Sequence, residues 1–232
     1  MSGPSLDFWQ LWQPLRRQRE FLTASHAYRY LLYGGSRGSG KSSLLRWGVL
    51  WKLLDWASKG RTGVRVGLFS EDYPTLEDRQ ISKIEREFPK WLGHLGTTKS
   101  DGLGFYVAPE YGGGVLTLRN LDDPSKYVGG EFAGIGIEEL TRLQRSTFDL
   151  VRGSLRWPGI TDTFFWAVTN PLGPGLLWVR DLWIRAQVPE GVRGPRPAIP
   201  LRSGLPQRQH PPDPGLLARP AVPAGARAKG VD

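Results

Sequence analysis

The chain has 232 residues, 39% hydrophobic with ten tryptophans, enough to build a core along most of its length. The absence of cysteine excludes disulfides, thiolate metal sites and a cysteine nucleophile, and suits a reducing compartment. A formal net charge of +9 favours a polyanionic partner such as nucleic acid, and His26, His94 and His210 show no metal-ligand spacing.

Residues 1–27 carry Phe8, Trp9, Leu11, Trp12, Leu15, Phe21 and Leu22 among Arg and Gln, the pattern of an amphipathic helical lead-in. Residues 28–33 are short, apolar and aromatic, as in a buried strand. The stretch from Gly35 to Ser42 then fits the phosphate-loop pattern G-x-x-x-x-G-K-[ST] without a mismatch. Gly35, Ser36, Arg37, Gly38, Ser39, Gly40, Lys41, Ser42 and Ser43 are therefore the candidate nucleotide contacts. Glycines let backbone N–H groups curl around a polyphosphate, Lys41 brings a compact positive charge to the β- and γ-phosphates, and the Ser42 hydroxyl can ligate Mg²⁺. A helix from Ser42 to Leu54 places its positive N-terminus behind the loop.

Residues 60–63 break the chain, and 64–69 read as a second buried strand. A polar helix follows over 77–88, closed by Pro89, and 105–107 with 115–118 form a hairpin around Gly112, Gly113 and Gly114. The apolar run 132–137 ends in Glu138 and Glu139. At a strand's tip the first carboxylate would hold the Mg²⁺ shell and the second would orient a water. A helix over 144–155 leads to strand 164–168, which ends in Thr169, Asn170 and Pro171. Alternating strands and helices imply a mainly parallel sheet covered on both faces, with ligands at the carboxyl ends of its strands. The fold class expected is therefore a three-layer α/β P-loop NTPase, of the ASCE type with an extra strand between the two acidic and phosphate-binding motifs. Residues 64–69 are a candidate for that intervening strand.

Residues 1–188 make up this domain. The stretch 189–232 holds ten of the nineteen prolines, six glycines and no aromatic residue, too little apolar surface to offset its ordering entropy, so it is expected to be disordered. With seven Lys/Arg against three Asp/Glu it carries +4 of the charge, leaving about +5 for the rest. A basic nucleic-acid-binding tail and a disrupted reading frame are the other readings of this stretch.

In order and spacing, several blocks resemble the ATPase half of the large subunit of tailed-bacteriophage terminase, the DNA-packaging motor. They are QREFL at 18–22, YGGSRGSGKS at 33–42, EDYPTL at 71–76, KYVGGEF at 126–132, GIGIEEL at 134–140, SLR at 154–156 and TNP at 169–171. The resemblance covers roughly residues 13–185. It implies that Gln18 reads adenine, that Arg37 reaches the γ-phosphate from inside the loop, and that Thr169 and Asn170 couple hydrolysis to movement. It also implies an arginine finger for a neighbouring subunit, for which Arg152 and Arg156 are candidates beside their reading as ordinary surface arginines. The catalytic set it implies is Glu139, Arg37 and Lys41, with ATP and Mg²⁺ as cofactors and Ser42 and Glu138 on the metal. The implied partners are double-stranded DNA, the portal protein and the terminase small subunit, with a homo-oligomeric ring on the portal and a monomer in isolation.

Two departures stand out. The family's second motif usually ends in Asp-Glu, whereas this chain has Glu138 and Glu139. Terminases also continue into a metal-dependent nuclease, and beyond residue 189 only Glu190, Asp213 and Asp232 remain as carboxylates, so no nuclease activity is expected; either the gene is truncated, by a frameshift for example, or the sequence carries only the motor half. A helicase-like nucleic-acid-dependent ATPase and an inactive prophage remnant that only binds nucleotide are the rival readings; a small-molecule kinase has least support. Lacking a signal-peptide pattern or an apolar run near the ~18 residues that cross a bilayer, the chain is expected to be soluble and cytoplasmic, with no membrane partner.

Overall fold

The computed structural model describes residues 7–36 and 38–185. The expectation of a disordered tail lies outside the described residues, as does the placement of Arg37.

Seven strands form one sheet in the order β1-β7-β6-β2-β5-β4-β3. They are β1 (Tyr30–Gly34), β2 (Arg65–Ser70), β3 (Gly93–Thr98), β4 (Gly102–Val107), β5 (Val115–Asn120), β6 (Gly134–Ile137) and β7 (Phe164–Thr169). The first five in space are mutually parallel, and β4 and β3 add on as antiparallel strands. Parallel strands bury both faces, which is why β7 reads as the unbroken apolar run FFWAVT and has every residue buried. Phe164, Trp166 and Val168 enter one core with α3 (Lys41–Ser58), while Phe165 and Ala167 enter the other with α6 (Arg145–Arg152). Helices on both faces complete three layers.

The helical lead-in divides into α1 (Phe8–Leu11) and α2 (Arg16–Ala24). Pro14 lies between them and disfavours helix at the residue before it. The helix expected over 77–88 starts earlier, as α4 (Tyr73–Leu76), passes through one π-helical stretch (Glu77–Ile81) and ends as α5 (Ser82–Glu87). The hairpin of β4 and β5 is present, but β3, with its three Gly/His positions and partial exposure, carries no strand pattern and was not expected.

One expectation is corrected. Strand β2 does not lie between the phosphate-loop strand and the Glu-Glu strand; β7 does, and β2 pairs with the far side of β6. Consequently β1, β7 and β6 are neighbours, so their carboxyl ends bring the phosphate loop, Thr169-Asn170 and Glu138-Glu139 together.

Candidate active site

The phosphate loop connects β1 to α3. Gly38 and Gly40 take left-handed φ values of 81° and 72°, which a residue with a Cβ rarely adopts. A Cβ on Gly40 would also stand 2.5 Å from the Gln18 amide nitrogen. That amide is bonded at both ends. Its Oε1 accepts from the Leu15 N–H at 2.7 Å, and its Nε2 donates to the Gly40 carbonyl at 2.8 Å, so buried Gln18 ties α2 to the N-terminus of α3. Lys41 folds back into the loop, where its ammonium donates to the Gly35 and Ser36 carbonyls at 3.1 and 2.7 Å and to Ser39 Oγ at 3.2 Å. Burial holds its pKa below the ordinary lysine value, against the pull of Glu139 and Glu138.

Glu138 directly follows β6 with 1% of its surface exposed, and neither carboxylate oxygen makes a well-formed hydrogen bond. Burial pushes its carboxyl pKa up, with the Ser42 hydroxyl, Arg79 and the Gln80 amide facing it and opposing the rise. An orphaned, dry carboxylate is costly unless a cation meets it. Facing Ser42, this carboxylate is one that a hard divalent cation would satisfy. Among the described residues no group of three or more His, Cys, Asp or Glu side chains could hold a metal ion.

Glu139 is the one non-glycine residue with positive φ among the described residues, at φ 48° and ψ 51°. Such strain persists only where the surroundings enforce it. Here Glu139 Oε1 accepts from Asn170 Nδ2 at 2.7 Å and from Arg79 Nη1 at 3.0 Å, while Oε2 accepts from the Asn170 N–H at 3.0 Å. The adjoining Thr169 hydroxyl lies 2.6 Å from that of Thr141 and accepts the Thr141 N–H at 3.1 Å. The tip of β7 is thus fastened to the loop that follows β6.

Solved structures share this architecture. The large terminase of a thermophilic bacteriophage superposes with a TM-score of 0.56 at 16% identity, covering 73% of this chain and 43% of that one. The ATPase domain of the large terminase of Thermus phage P74-26 gives 0.55 at 17% identity, covering 84% and 82%. The large terminase of bacteriophage HK97 gives 0.56 at 11%, covering 75% and 37%. The fold is that of a terminase ATPase domain. The chain spans less than half the length of the first and the last of these three proteins. No family model matches the chain, and no curated protein does.

On this terminase-type fold the residues singled out from sequence divide into two groups. Gly35, Ser36, Gly38, Ser39, Gly40, Lys41, Ser42, Glu138, Glu139, Thr169 and Asn170 gather at one end of the sheet, and Ser43 follows in the first turn of α3. Arg152 and Arg156 lie at the other end. The Leu155 carbonyl between them accepts from Arg29, just before β1, and Leu155 bridges to Phe132, just before β6. Arg152 pairs with Asp149 and lies over Phe148, and Arg156 pairs with Glu131. Neither reaches this chain's own phosphate loop. Arg79 and Thr141 were missed, because a polar helix and a Leu-Thr-Arg stretch carry no motif that separates them from solvated surface.

Proposed function

We propose that this chain is a Mg²⁺-dependent ATPase and, as the likeness in fold suggests, the motor part of a viral DNA-packaging terminase. One observation carries the reading. The phosphate loop, the orphaned Glu138 carboxylate and the Glu139–Asn170 pair converge at the carboxyl ends of adjacent strands, where an α/β sheet binds its ligand. The thermophilic bacteriophage's large terminase has also been crystallised with ATP-γ-S, and that structure has a TM-score of 0.54 at 16% identity over 72% of this chain and 41% of that one. On that analogy ATP is the nucleotide, with Gln18, Arg37 and the stretch 35–43 around it.

The residues then divide the work. The loop's N–H groups and Lys41 would exchange the carbonyl contacts of Lys41 for phosphate oxygens, placing positive charge where it develops during transfer. Ser42 and Glu138 would hold Mg²⁺, which when bound neutralises phosphate charge. Glu139 would orient the attacking water, and Asn170, bonded to it through both backbone and side chain, would carry the change at the γ-phosphate to β7. Double-stranded DNA, a portal protein, a terminase small subunit and a ring of copies are the partners this reading brings, with Arg152 or Arg156 offered to a neighbouring copy. No described helix is long and apolar enough to cross a membrane.

The test is ATP turnover by the purified chain and its Glu139→Gln variant, with and without duplex DNA and portal protein at two salt concentrations. The variant should bind nucleotide and lose turnover. Equal rates in the two proteins would remove Glu139 from its role. Stimulation by single-stranded nucleic acid instead of duplex would favour a helicase-like motor.

A further inference from the structure

The water-orienting carboxylate is held by a side chain that no sequence motif marks. Glu139 Oε1 receives two donors, Asn170 Nδ2 and Arg79 Nη1, and its side chain is 10% exposed. Arg79 comes from the far side of β6, on the helix that follows β2, and so belongs neither to the phosphate loop nor to β7. Its segment is the π-helical stretch Glu77–Ile81, a wide turn of a kind that recurs at functional sites because it re-aims side chains that a regular helix would direct elsewhere.

That turn is itself anchored. Buried Arg46 on α3, five residues beyond Lys41, donates through Nη1 to the Arg79 carbonyl at 3.1 Å and to Gln80 Oε1 at 3.1 Å. Its other nitrogens grip both oxygens of Glu87, at 2.9 and 2.7 Å. The helix that carries Lys41 and Ser42 thus sets the position of the turn that carries Arg79. A carboxylate in a strained backbone conformation, met by a cation from an anchored turn, has its direction set on two sides.

We propose that Arg79 is a positioning residue for Glu139, fixing the carboxylate on the line from which it can orient water, with Arg46 holding the Arg79 turn in register with the phosphate-loop helix. This rests on the ATPase reading above. The Arg79 side chain is 37% exposed, so its ion pair contributes little to global stability, and its removal acts on turnover without unfolding the protein.

The experiment compares wild type, Arg79→Ala, Arg79→Lys, Glu139→Gln and the Arg79→Ala/Glu139→Gln double variant in steady-state ATP hydrolysis, ATP-γ-S binding and thermal melting. Misplacing a reacting group by about 1 Å can cost on the order of 100-fold, so Arg79→Ala should lower kcat by roughly 10- to 100-fold. Its melting temperature should stay close to wild type, and its ATP-γ-S affinity should fall far less than kcat. Arg79→Lys should recover part of the loss, and in the Glu139→Gln background Arg79→Ala should cost nothing more, because the group it positions is already gone. An unchanged or raised kcat in Arg79→Ala overturns the proposal, as does an equal further loss in the Glu139→Gln background. A wild type that binds ATP-γ-S but does not hydrolyse ATP removes the hydrolase reading and this one together. A hydrolysing wild type with an indifferent Arg79→Ala removes this one alone.

Discussion

Glu138 is placed where it weakens the fold in the absence of a cation, and that makes it open to a stability measurement. Both of its carboxylate oxygens are buried and make no well-formed hydrogen bond, although the Ser42 hydroxyl and the Gln80 amide face them, and burial raises its pKa. A buried polar group without a partner costs about 1–3 kcal/mol, and more when charged. Glu138→Gln keeps the shape and cannot ionise, so it retains the neutral part of that cost and relieves the charged part, a gain of about 1–2 kcal/mol at a pH high enough to ionise Glu138 in the fold. For a domain of this size each kcal/mol moves the melting temperature by about 2–4 °C, so the variant should melt roughly 2–8 °C above wild type in chelator without nucleotide. Calorimetry in EDTA gives that difference directly. With Mg²⁺ and ATP-γ-S present the order should close or reverse, since a ligand at about 100 times its Kd stabilises wild type by about 2.7 kcal/mol while the amide forgoes its share of the ion. A variant that melts at or below the wild-type temperature in EDTA would refute the reasoning, because the carboxylate would then be satisfied without a metal.

Other consequences are equally direct. Gly40→Ala forces a left-handed residue and drives a Cβ toward Gln18 Nε2, so nucleotide affinity should fall by about tenfold or more as the loop's N–H groups lose alignment. The fold should lose about 1–2 kcal/mol from left-handed strain and about 1 kcal/mol more from the displaced Gln18 bond; calorimetric titration with ATP-γ-S and a melting curve separate binding from stability. At the other end of the sheet, burial alone would raise the Asp162 carboxyl, but Lys52 at 2.6 Å and the Trp56 indole outweigh it and hold the pKa below the ordinary 3.8. A depressed carboxyl contributes stability above its unfolded pKa and loses it as pH falls through the folded one. The gap in urea midpoint between wild type and Asp162→Asn should therefore be full at pH 7 and shrink below about pH 3.8. A gap that stays constant with pH would assign it to the Trp56 contact instead of the charge.

Much of the site was legible because much of it is local. Eight consecutive residues, Gly35 to Ser42, carry the phosphate-loop pattern, so the glycines, Lys41 and Ser42 announce a candidate cradle without any knowledge of what packs nearby. An apolar run ending in Glu138 and Glu139 is likewise a strand tip carrying carboxylates, and the alternation of strands with helices already demanded a parallel sheet. The amide of Gln18 was less legible. Both ends of its side chain bond within the chain, to Leu15 and Gly40, a fact that depends on where Pro14 stops one helix and lets the next begin.

The order of residues along the chain is enough to mark most strands and helices, an anion-binding loop ahead of a long helix, and two glutamates at the end of a buried strand. Packing in three dimensions was needed to insert β7 between β1 and β6, so that Asn170 meets Glu139. It was needed too for the π-helical stretch that brings Arg79 across from beyond β6, and for leaving Glu138 dry and unpaired. Backbone conformation and hydrophobic period are written in neighbouring residues, whereas strand adjacency and the satisfaction of buried charge depend on groups far apart in the chain. Arg79 and Glu139 are sixty residues apart, and no local pattern records that they touch.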